Sequence, residues 1–208
     1  MNLKNGVLFG ALTLSVGLAL MAQPPAGGGG GKGGGKGPAR PALSVTSSAW
    51  PDGGEVSMKY AGVGENKSPD FQFHWNLGTA EAMAPAELQT YAVIFHDIEN
   101  ATAKGPADTL HWSAFNIPGS AKGLPEGLGA GVLPDGTTNG PGIRGGAQGV
   151  YFGPGAGPGP FHHYVFEFYA LDTKLEVGAT PTRDELMKAM EGHVIGKAAY
   201  VGRFHRVQ

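Results

Sequence analysis

Side chains with acid–base chemistry stand at the ends of the segments that we predict as strands. Asp97 follows an apolar segment, His111 lies near the start of a second, and His162-His163-Tyr164 opens a third. Because strand side chains alternate between faces, His162 shares a face with Tyr164 and His163 points to the other. A carboxylate, two imidazoles and a phenol can donate to and accept from an anion, with Asp97 holding one imidazole as a donor. This pattern favours a small anion-binding pocket.

Two other kinds of chemistry are open to the same residues. His96, His111, His162 and His163 could, with Asp97, supply three ligands to a metal. No HExxH or comparable fixed spacing occurs, so we predict no metal and no cofactor. A serine hydrolase would use Ser113, which simple alternation places on the same strand face as His111, but the sequence has no G-x-S-x-G elbow. We therefore predict no catalytic residue and no enzymatic activity.

Seven short segments predict the strands that position these residues, because they are rich in β-branched and aromatic side chains. They are Leu43–Ala49, Glu55–Tyr60, Phe71–Trp75, Thr90–His96, Leu110–Ile117, His163–Leu171 and Ala198–His205. In Phe71–Trp75 the aromatic residues alternate with Gln72 and His74, which gives one buried and one wetter face. The sequence predicts a mainly β protein with antiparallel sheets.

Helix and loop signals are few. Pro181 precedes a capping-box pattern at Thr182 and Glu185, and Gly192 ends the helical segment that follows. The 44 residues from Pro118 to Phe161 include 15 Gly and 7 Pro, too many for regular structure. We predict one or two short helices and a long Gly/Pro-rich loop that forms the wall of a binding site.

Composition and charge restrict the class of protein. The chain has no Cys, which excludes a disulfide framework and a thiolate metal site. Of its 15 Lys and Arg, four precede the first acid, Asp52, so residues 43–208 carry 17 acids against 11 bases, a net charge of −6. Such a domain is a poor partner for the phosphate backbone of a nucleic acid.

The N-terminal residues have the pattern of a secretory signal peptide. An uncharged apolar run from Val7 to Leu20 follows Lys4, and small Ala22 precedes Gln23. The run is short of the roughly 20 residues that span a bilayer, so an uncleaved anchor is the alternative and no transmembrane segment is expected after cleavage. Nine of residues 27–37 are Gly. We predict a signal peptide at 1–22, a flexible linker at 23–42, a domain at 43–208, and a periplasmic or secreted protein.

An ordered set of short motifs resembles the bacterial branch of the phosphatidylethanolamine-binding proteins, also called Raf-kinase-inhibitor-like proteins. The motifs run from about residue 55 to the C-terminus. They are Gly64-Glu65-Asn66-Lys67-Ser68-Pro69 followed by Phe71–Trp75, then Tyr91–Asp97, His111-Trp112 with Asn116-Ile117-Pro118, Leu124-Pro125-Glu126-Gly127, Gly153-Pro154, His162–Phe166 and Tyr169–Asp172. The resemblance implies a β-sandwich with a small cavity for phosphate-like anions and phospholipid head groups. By the same resemblance, the ligand-binding residues are Asp97, His111, Gly153, Pro154, His162 and Tyr164.

The sequence departs from the family pattern at the rim of this cavity. The family's Asp-Pro-Asp-Ala-Pro stretch is Asp97–Ala101 here, with Glu99 as the second acid and both prolines absent. The Arg that is common between the second pocket His and the Tyr is His163, and a Pro-Pro pair is replaced within Gly155–Gly157. We expect a non-enzymatic exported protein that binds a small anion or a phospholipid head group. The alternatives are an inhibitor module with an unknown protein partner, as in Raf-kinase inhibitors, and a His/Asp hydrolase.

Overall fold

The computed structural model describes residues 39–102, 104–142, 149–178 and 180–207. Its elements are β1 (Ala42–Thr46), β2 (Gly54–Glu55), β3 (Phe71–Leu77), β4 (Ala80–Glu81), β5 (Thr90–Asp97), β6 (Thr109–Pro118), β7 (Gly123–Leu124), β8 (Thr138–Asn139), β9 (His162–Leu171), α1 (Arg183–Met190) and β10 (Val194–Phe204). The predicted signal peptide and most of the predicted linker lie outside the described residues. At its other end, the predicted linker overlaps β1 by one residue, because Ala42 pairs with Asn76.

The strands form two sheets. The small sheet has the order β1-β3-β4, with β7 also paired to β3, and the large sheet has the order β2-β10-β9-β5-β6-β8. The pairs are antiparallel, except that β2 runs parallel to β10. The predicted mainly β, antiparallel sandwich is confirmed.

Two predicted regions are more irregular than the alternation of residue types indicates. The segment Glu55–Tyr60 was expected as a strand, but only its first residue lies in β2. The chain then turns, since the Tyr60 N–H donates to the Ser57 carbonyl and the Glu65 N–H donates to the Met58 carbonyl. Between β6 and β9, the described part of the Gly/Pro-rich loop contains only β7 and β8, two residues each.

Aromatic side chains fill the space between the sheets. The predicted inner face of β3 is buried, and its Phe71 contacts Phe166 and Phe168 of the large sheet, with ring centroids 4.9 and 4.8 Å apart. Phe95 of β5 stacks on Phe166 with centroids 3.8 Å apart. The Phe71 contacts hold the two sheets face to face, whereas the stack of Phe95 on Phe166 joins two neighbouring strands of the large sheet.

Helix α1 covers the outer face of the large sheet. It begins with the predicted capping box, in which Thr182 accepts from the Glu185 N–H and the Glu185 carboxylate accepts from the Thr182 N–H. Leu186 and Met190 pack with apolar residues of β5, β6 and β9. Central strand β5 is therefore buried on both faces. Across the described ranges, no helix is long and apolar enough to cross a membrane.

The substitution Phe166→Ala tests how much the aromatic core contributes to the stability of the fold. Phe166 is fully buried and contacts Phe71, Phe95 and Trp50. Its truncation leaves a cavity and is expected to lower the free energy of unfolding by about 3–5 kcal/mol in chemical denaturation. The control Met83→Ala, at a highly exposed side chain, is expected to stay within about 0.5 kcal/mol of wild type. A similar decrease in the free energy of unfolding in both variants would show that the aromatic contacts of Phe166 do not make this contribution to stability.

Candidate functional site

The candidate site lies where β5 ends and β9 begins. These strands are antiparallel and in register, so Asp97, the last residue of β5, stands opposite Tyr164. His162 is the first residue of β9 and pairs with Phe204 of β10. The alternation predicted from the sequence is present, since His162 and Tyr164 line one cavity while His163 does not.

A β-bulge places His111 at the same site. Phe95 pairs with Trp112, but the next residue of β5, His96, pairs with Leu110, which leaves His111 as the extra residue of β6. Bulges often redirect side chains beside functional sites. Here the bulge lets the neighbours His111 and Trp112 both turn toward the inside of the sandwich, where His111 packs against Phe95 and Tyr164.

Together these residues line a cavity of about 350 Å³, within the range of small-molecule sites. Its lining combines the polar groups Asp97, Asn100, His111, His162 and Tyr164 with Val63, Phe152, Gly155, Ala156 and Gly157. Four of the six residues predicted as ligand-binding are therefore brought together. Sequence reasoning missed the loop residues Val63 and Asn100 as lining residues, because no periodic pattern places an irregular segment.

Asp97 and His162 are hydrogen-bonded to each other in the lining of the cavity. The Asp97 carboxylate is almost fully buried, and its oxygens lie 2.8 and 3.1 Å from Nδ1 of His162. Oδ1 also accepts from the backbone N–H groups of Glu99 and Asn100, at 3.1 and 3.2 Å. These bonds satisfy a carboxylate that would otherwise be costly to bury.

His111 is held by backbone carbonyl groups. Its Nδ1 donates to the carbonyl oxygens of Phe152 and Gly153, each 3.1 Å away. Burial lowers the pKa of His111, and this effect exceeds the opposite effects of the two carbonyls and of Asp97. The neutral form of His111 is thus favoured relative to an exposed imidazole.

Tyr164 links the floor of the cavity to its glycine-rich wall. Its phenol oxygen accepts from the backbone N–H groups of Gly155 and Ala156, at 3.2 and 3.0 Å. Burial is the largest cause that raises the pKa of Tyr164, and a hydrogen bond to Asp97 adds to the increase. The phenol therefore stays protonated and fixes the wall segment from Gly155 to Gly157.

Gly153 and Pro154, also predicted as ligand-binding, support the cavity through their backbone and are not among its lining residues. The Gly153 N–H donates to Asn66 Oδ1, and the Pro154 carbonyl accepts from the Gly62 N–H. Gly153 is required for steric reasons, because a Cβ there would overlap the Tyr60 carbonyl oxygen. This close approach places the carbonyl groups that orient His111.

Two of the rim departures, Glu99 and His163, contact each other. The Glu99 carboxylate accepts from the His163 backbone N–H and from its Nδ1, both at 2.7 Å. Burial alone would raise the pKa of Glu99, but the hydrogen bonds from His163 outweigh it and the pKa is lowered.

Potential metal ligands at this rim are Asp97, Glu99 and His162, with donor atoms that lie within 4.8 Å of one another. We assign no metal to this group, because Asp97 is occupied by His162 and backbone N–H groups, and Glu99 by His163. The set considered from the sequence, in which His96, His111, His162 and His163 with Asp97 could supply three ligands, is not brought together as a whole. His96 lies on the opposite face of the large sheet, where its Nδ1 is 2.5 Å from Asp108 and its Nε2 is 3.6 Å from Glu167.

The expected common face for His111 and Ser113 is wrong, because the bulge changes the alternation. Ser113 lies on the outer side with Phe115 and donates to the Pro141 carbonyl at 2.8 Å. The hydroxyl is therefore turned away from the imidazole that a hydrolase would need as a base.

A larger groove of about 600 Å³ runs beside α1. Its charged lining residues are Glu176, Glu185 and Lys188. Glu185 is already used in the capping box, and the described lining of this groove contains no imidazole or phenol. The smaller cavity at Asp97 brings together a carboxylate, two imidazoles and a phenol, and it remains the candidate site.

Comparisons with known proteins agree on the fold and on the family. The family model described as phosphatidylethanolamine-binding protein matches residues 46–205. A UPF0098 protein of Methanothermobacter thermautotrophicus is 34% identical over 79% of this chain and 99% of its own length. A UPF0098 protein of Chlamydia muridarum is 26% identical, with the same shares covered.

Solved structures give the same picture. The crystal structure of CT736, a putative phosphatidylethanolamine-binding protein homologue from Chlamydia trachomatis, is 25% identical with a TM-score of 0.66, and the match covers 80% of this chain and 99% of that one. YbcL of E. coli, described as a member of the mammalian PEBP family, has a TM-score of 0.64 at 22% identity, with 79% and 99% covered.

The substitution Gly153→Ala tests the close approach behind the site. The added Cβ meets backbone atoms that must move, so we expect the free energy of unfolding to fall by about 2–3 kcal/mol in urea denaturation. The matched control is Gly155→Ala in the same wall, where a Cβ meets nothing within 4 Å. Its change is expected to stay within about 0.5 kcal/mol. Equal stability of the two variants would contradict the steric role of Gly153.

Proposed function

This chain belongs to the phosphatidylethanolamine-binding protein family, and we propose that it is a non-enzymatic binding protein for a phosphate-like anion, either free or in the head group of a phospholipid. The observation that carries the proposal is the convergence of Asp97, His111, His162 and Tyr164 on one cavity of about 350 Å³. Small cavities with a few convergent polar groups are typical of ligand sites.

Within the lining of the cavity, the imidazoles are the side chains that can supply a positive charge to an anion. The described lining contains the carboxylate of Asp97 but no Lys or Arg, and residues 43–208 carry a net charge of −6. A protonated imidazole adds a donor and a positive charge, which an anionic ligand favours. A bound anion therefore raises the pKa of the imidazole. By linkage, the affinity for the anion increases as the pH falls through the imidazole pKa of the ligand-free protein. Because burial lowers the pKa of His111, its contribution comes at lower pH than for an exposed imidazole.

Binding without turnover is supported by how the polar groups are used. His111 donates to two carbonyl oxygens, and the hydroxyl of Ser113 faces the other side of β6. Within the described lining, Tyr164 supplies the single hydroxyl, and its oxygen already accepts two hydrogen bonds. These contacts favour a rigid receptor over an activated nucleophile.

Calorimetric titration with inorganic phosphate tests this function. We expect at least tenfold tighter binding about one pH unit below the ordinary imidazole pKa of about 6.5 than one unit above it. At the lower pH, His162→Ala is expected to weaken binding by roughly tenfold or more, since a charge-assisted hydrogen bond contributes about 1.5–3 kcal/mol.

The matched control is His193→Ala. Like His162, His193 pairs through Nδ1 with an aspartate at 2.8 Å, but its partner is Asp172 and it is not in the cavity lining. We expect wild-type affinity for this variant. Equal losses in the two variants, or no binding at either pH, would mean that the cluster is not an anion site.

We also propose that the protein is exported, on the basis of the signal-peptide pattern in residues 1–22. Mass measurement of the protein from its native cells is expected to show a chain that begins at Gln23, recovered from the periplasm or the medium. A chain that retains Met1 and sediments with membranes would contradict this proposal and favour the uncleaved anchor.

A further inference from the structure

The protein fixes the tautomer of both imidazoles in the cavity. Nδ1 of His111 faces two carbonyl oxygens, which can only accept, so Nδ1 carries the proton. Nδ1 of His162 faces the Asp97 carboxylate, which likewise accepts. Among the described residues, Nε2 of neither ring has a hydrogen-bond partner. A neutral ring can therefore offer a ligand only the Nε2 lone pair, which accepts and cannot donate.

The other polar groups add one acceptor and one constant donor. Asp97 is an acceptor. The phenol oxygen of Tyr164 already accepts from Gly155 and Ala156, and its O–H is used in the interaction with Asp97. The side-chain amide of Asn100 has no hydrogen-bond partner in the described part of the chain, although its backbone is held by Asp97 and Thr109. Its NH₂ group is a donor at every pH.

Charged groups on the surrounding elements act on the two rings in different ways. From β5, Asp97 favours protonation of His111, and His96 on the reverse face opposes it. In the loop after β5, Glu99 interacts favourably with protonated His162 and is paired with His163.

The C-terminal segment brings one further cation close to the wall. Nη2 of Arg206 lies 3.7 Å from the point where a Cβ on Gly157 would stand. This guanidinium is outside the described lining and does not change the donor or acceptor role of either Nε2.

We infer that, near neutral pH, the cavity selects oxyanions that carry their own acidic proton over unprotonated oxyanions of the same shape. The ligand's P–OH donates to Nε2 of His162 or His111, while a charged oxygen accepts from the Asn100 amide. An oxyanion without a proton instead places its oxygens against two lone pairs and a carboxylate. Such an oxyanion receives a hydrogen bond from an imidazole only after that imidazole has been protonated.

This selection names the class of ligand for the proposed anion site, and it rests on that proposed function. A phosphate monoester has a second pKa of about 6 and retains a proton in part of its population near neutrality. A phosphodiester, the form of phosphate in a phospholipid head group, has no such proton. The cavity is therefore suited at neutral pH to a free phosphate monoester and poorly suited to an intact phospholipid.

Two ligand pairs test the inference on the wild-type protein by calorimetry at about pH 7. The first pair is inorganic phosphate and sulfate, which share a tetrahedral shape. The second is phosphoethanolamine, a monoester, and glycerophosphoethanolamine, the diester of a lipid head group. We expect the proton-bearing member of each pair to bind at least tenfold tighter. Below the imidazole pKa the ratio is expected to shrink, because protonated rings donate to either ligand.

The outcomes separate the two proposals. Equal affinities within both pairs, or tighter binding of sulfate and the diester, would overturn the selection and leave the anion site standing. No binding of any of the four would overturn both.

A variant gives an independent measurement. The amide of Gln can donate without protonation, so His162→Gln is expected to bring the phosphate-to-sulfate ratio close to one, whereas His193→Gln keeps the wild-type ratio. A wild-type ratio in folded His162→Gln would contradict the role of Nε2 of His162.

Discussion

The stack of Phe95 on Phe166 is the contact on which both the sandwich and the cavity depend. With ring centroids 3.8 Å apart, it joins β5 to β9 inside the core. A slip of one residue between these strands would take Phe95 out of register with Phe166 and lose the stacked contact, so burial of the pair favours the observed register. That register sets Asp97 opposite Tyr164. The same Phe95 ring also contacts His111 at a centroid distance of 5.4 Å. The apolar core thus aligns the polar site.

The sequence is informative wherever a regular period decides which way a side chain points. Alternation alone predicts the buried face of β3 and the shared face of His162 and Tyr164. The bulge at His111 has no such signal, because one extra residue changes the period without changing the residue types. This is why the sequence indicated that His111 belongs near the site but placed Ser113 on the wrong face. Asn100 lies in an irregular loop, where only the folded backbone brings its side chain to the cavity.

The wall of the cavity shows how tight backbone packing replaces regular structure. Gly153 approaches the backbone at Tyr60 too closely for any side chain, and the carbonyl groups of Phe152 and Gly153 accept the hydrogen bond from Nδ1 of His111. A glycine that looks like loop flexibility in the sequence is therefore a fixed point of the site. At the rim, the longer acid Glu99 reaches the imidazole of His163, so two of the positions that depart from the family pattern contact each other.

A buried carboxylate determines the polarity of the whole cavity. Asp97 is almost inaccessible to solvent, and burying its charge is tolerated because His162 and two backbone N–H groups donate to it. Each donor that satisfies Asp97 is withdrawn from the ligand, so His162 turns its proton inward and leaves an acceptor on the cavity side. His111 reaches the same state through a different partner, the carbonyls of the wall. The requirement to satisfy buried acceptors inside the protein therefore leaves each neutral imidazole with a hydrogen-bond acceptor, and not a donor, at its free nitrogen.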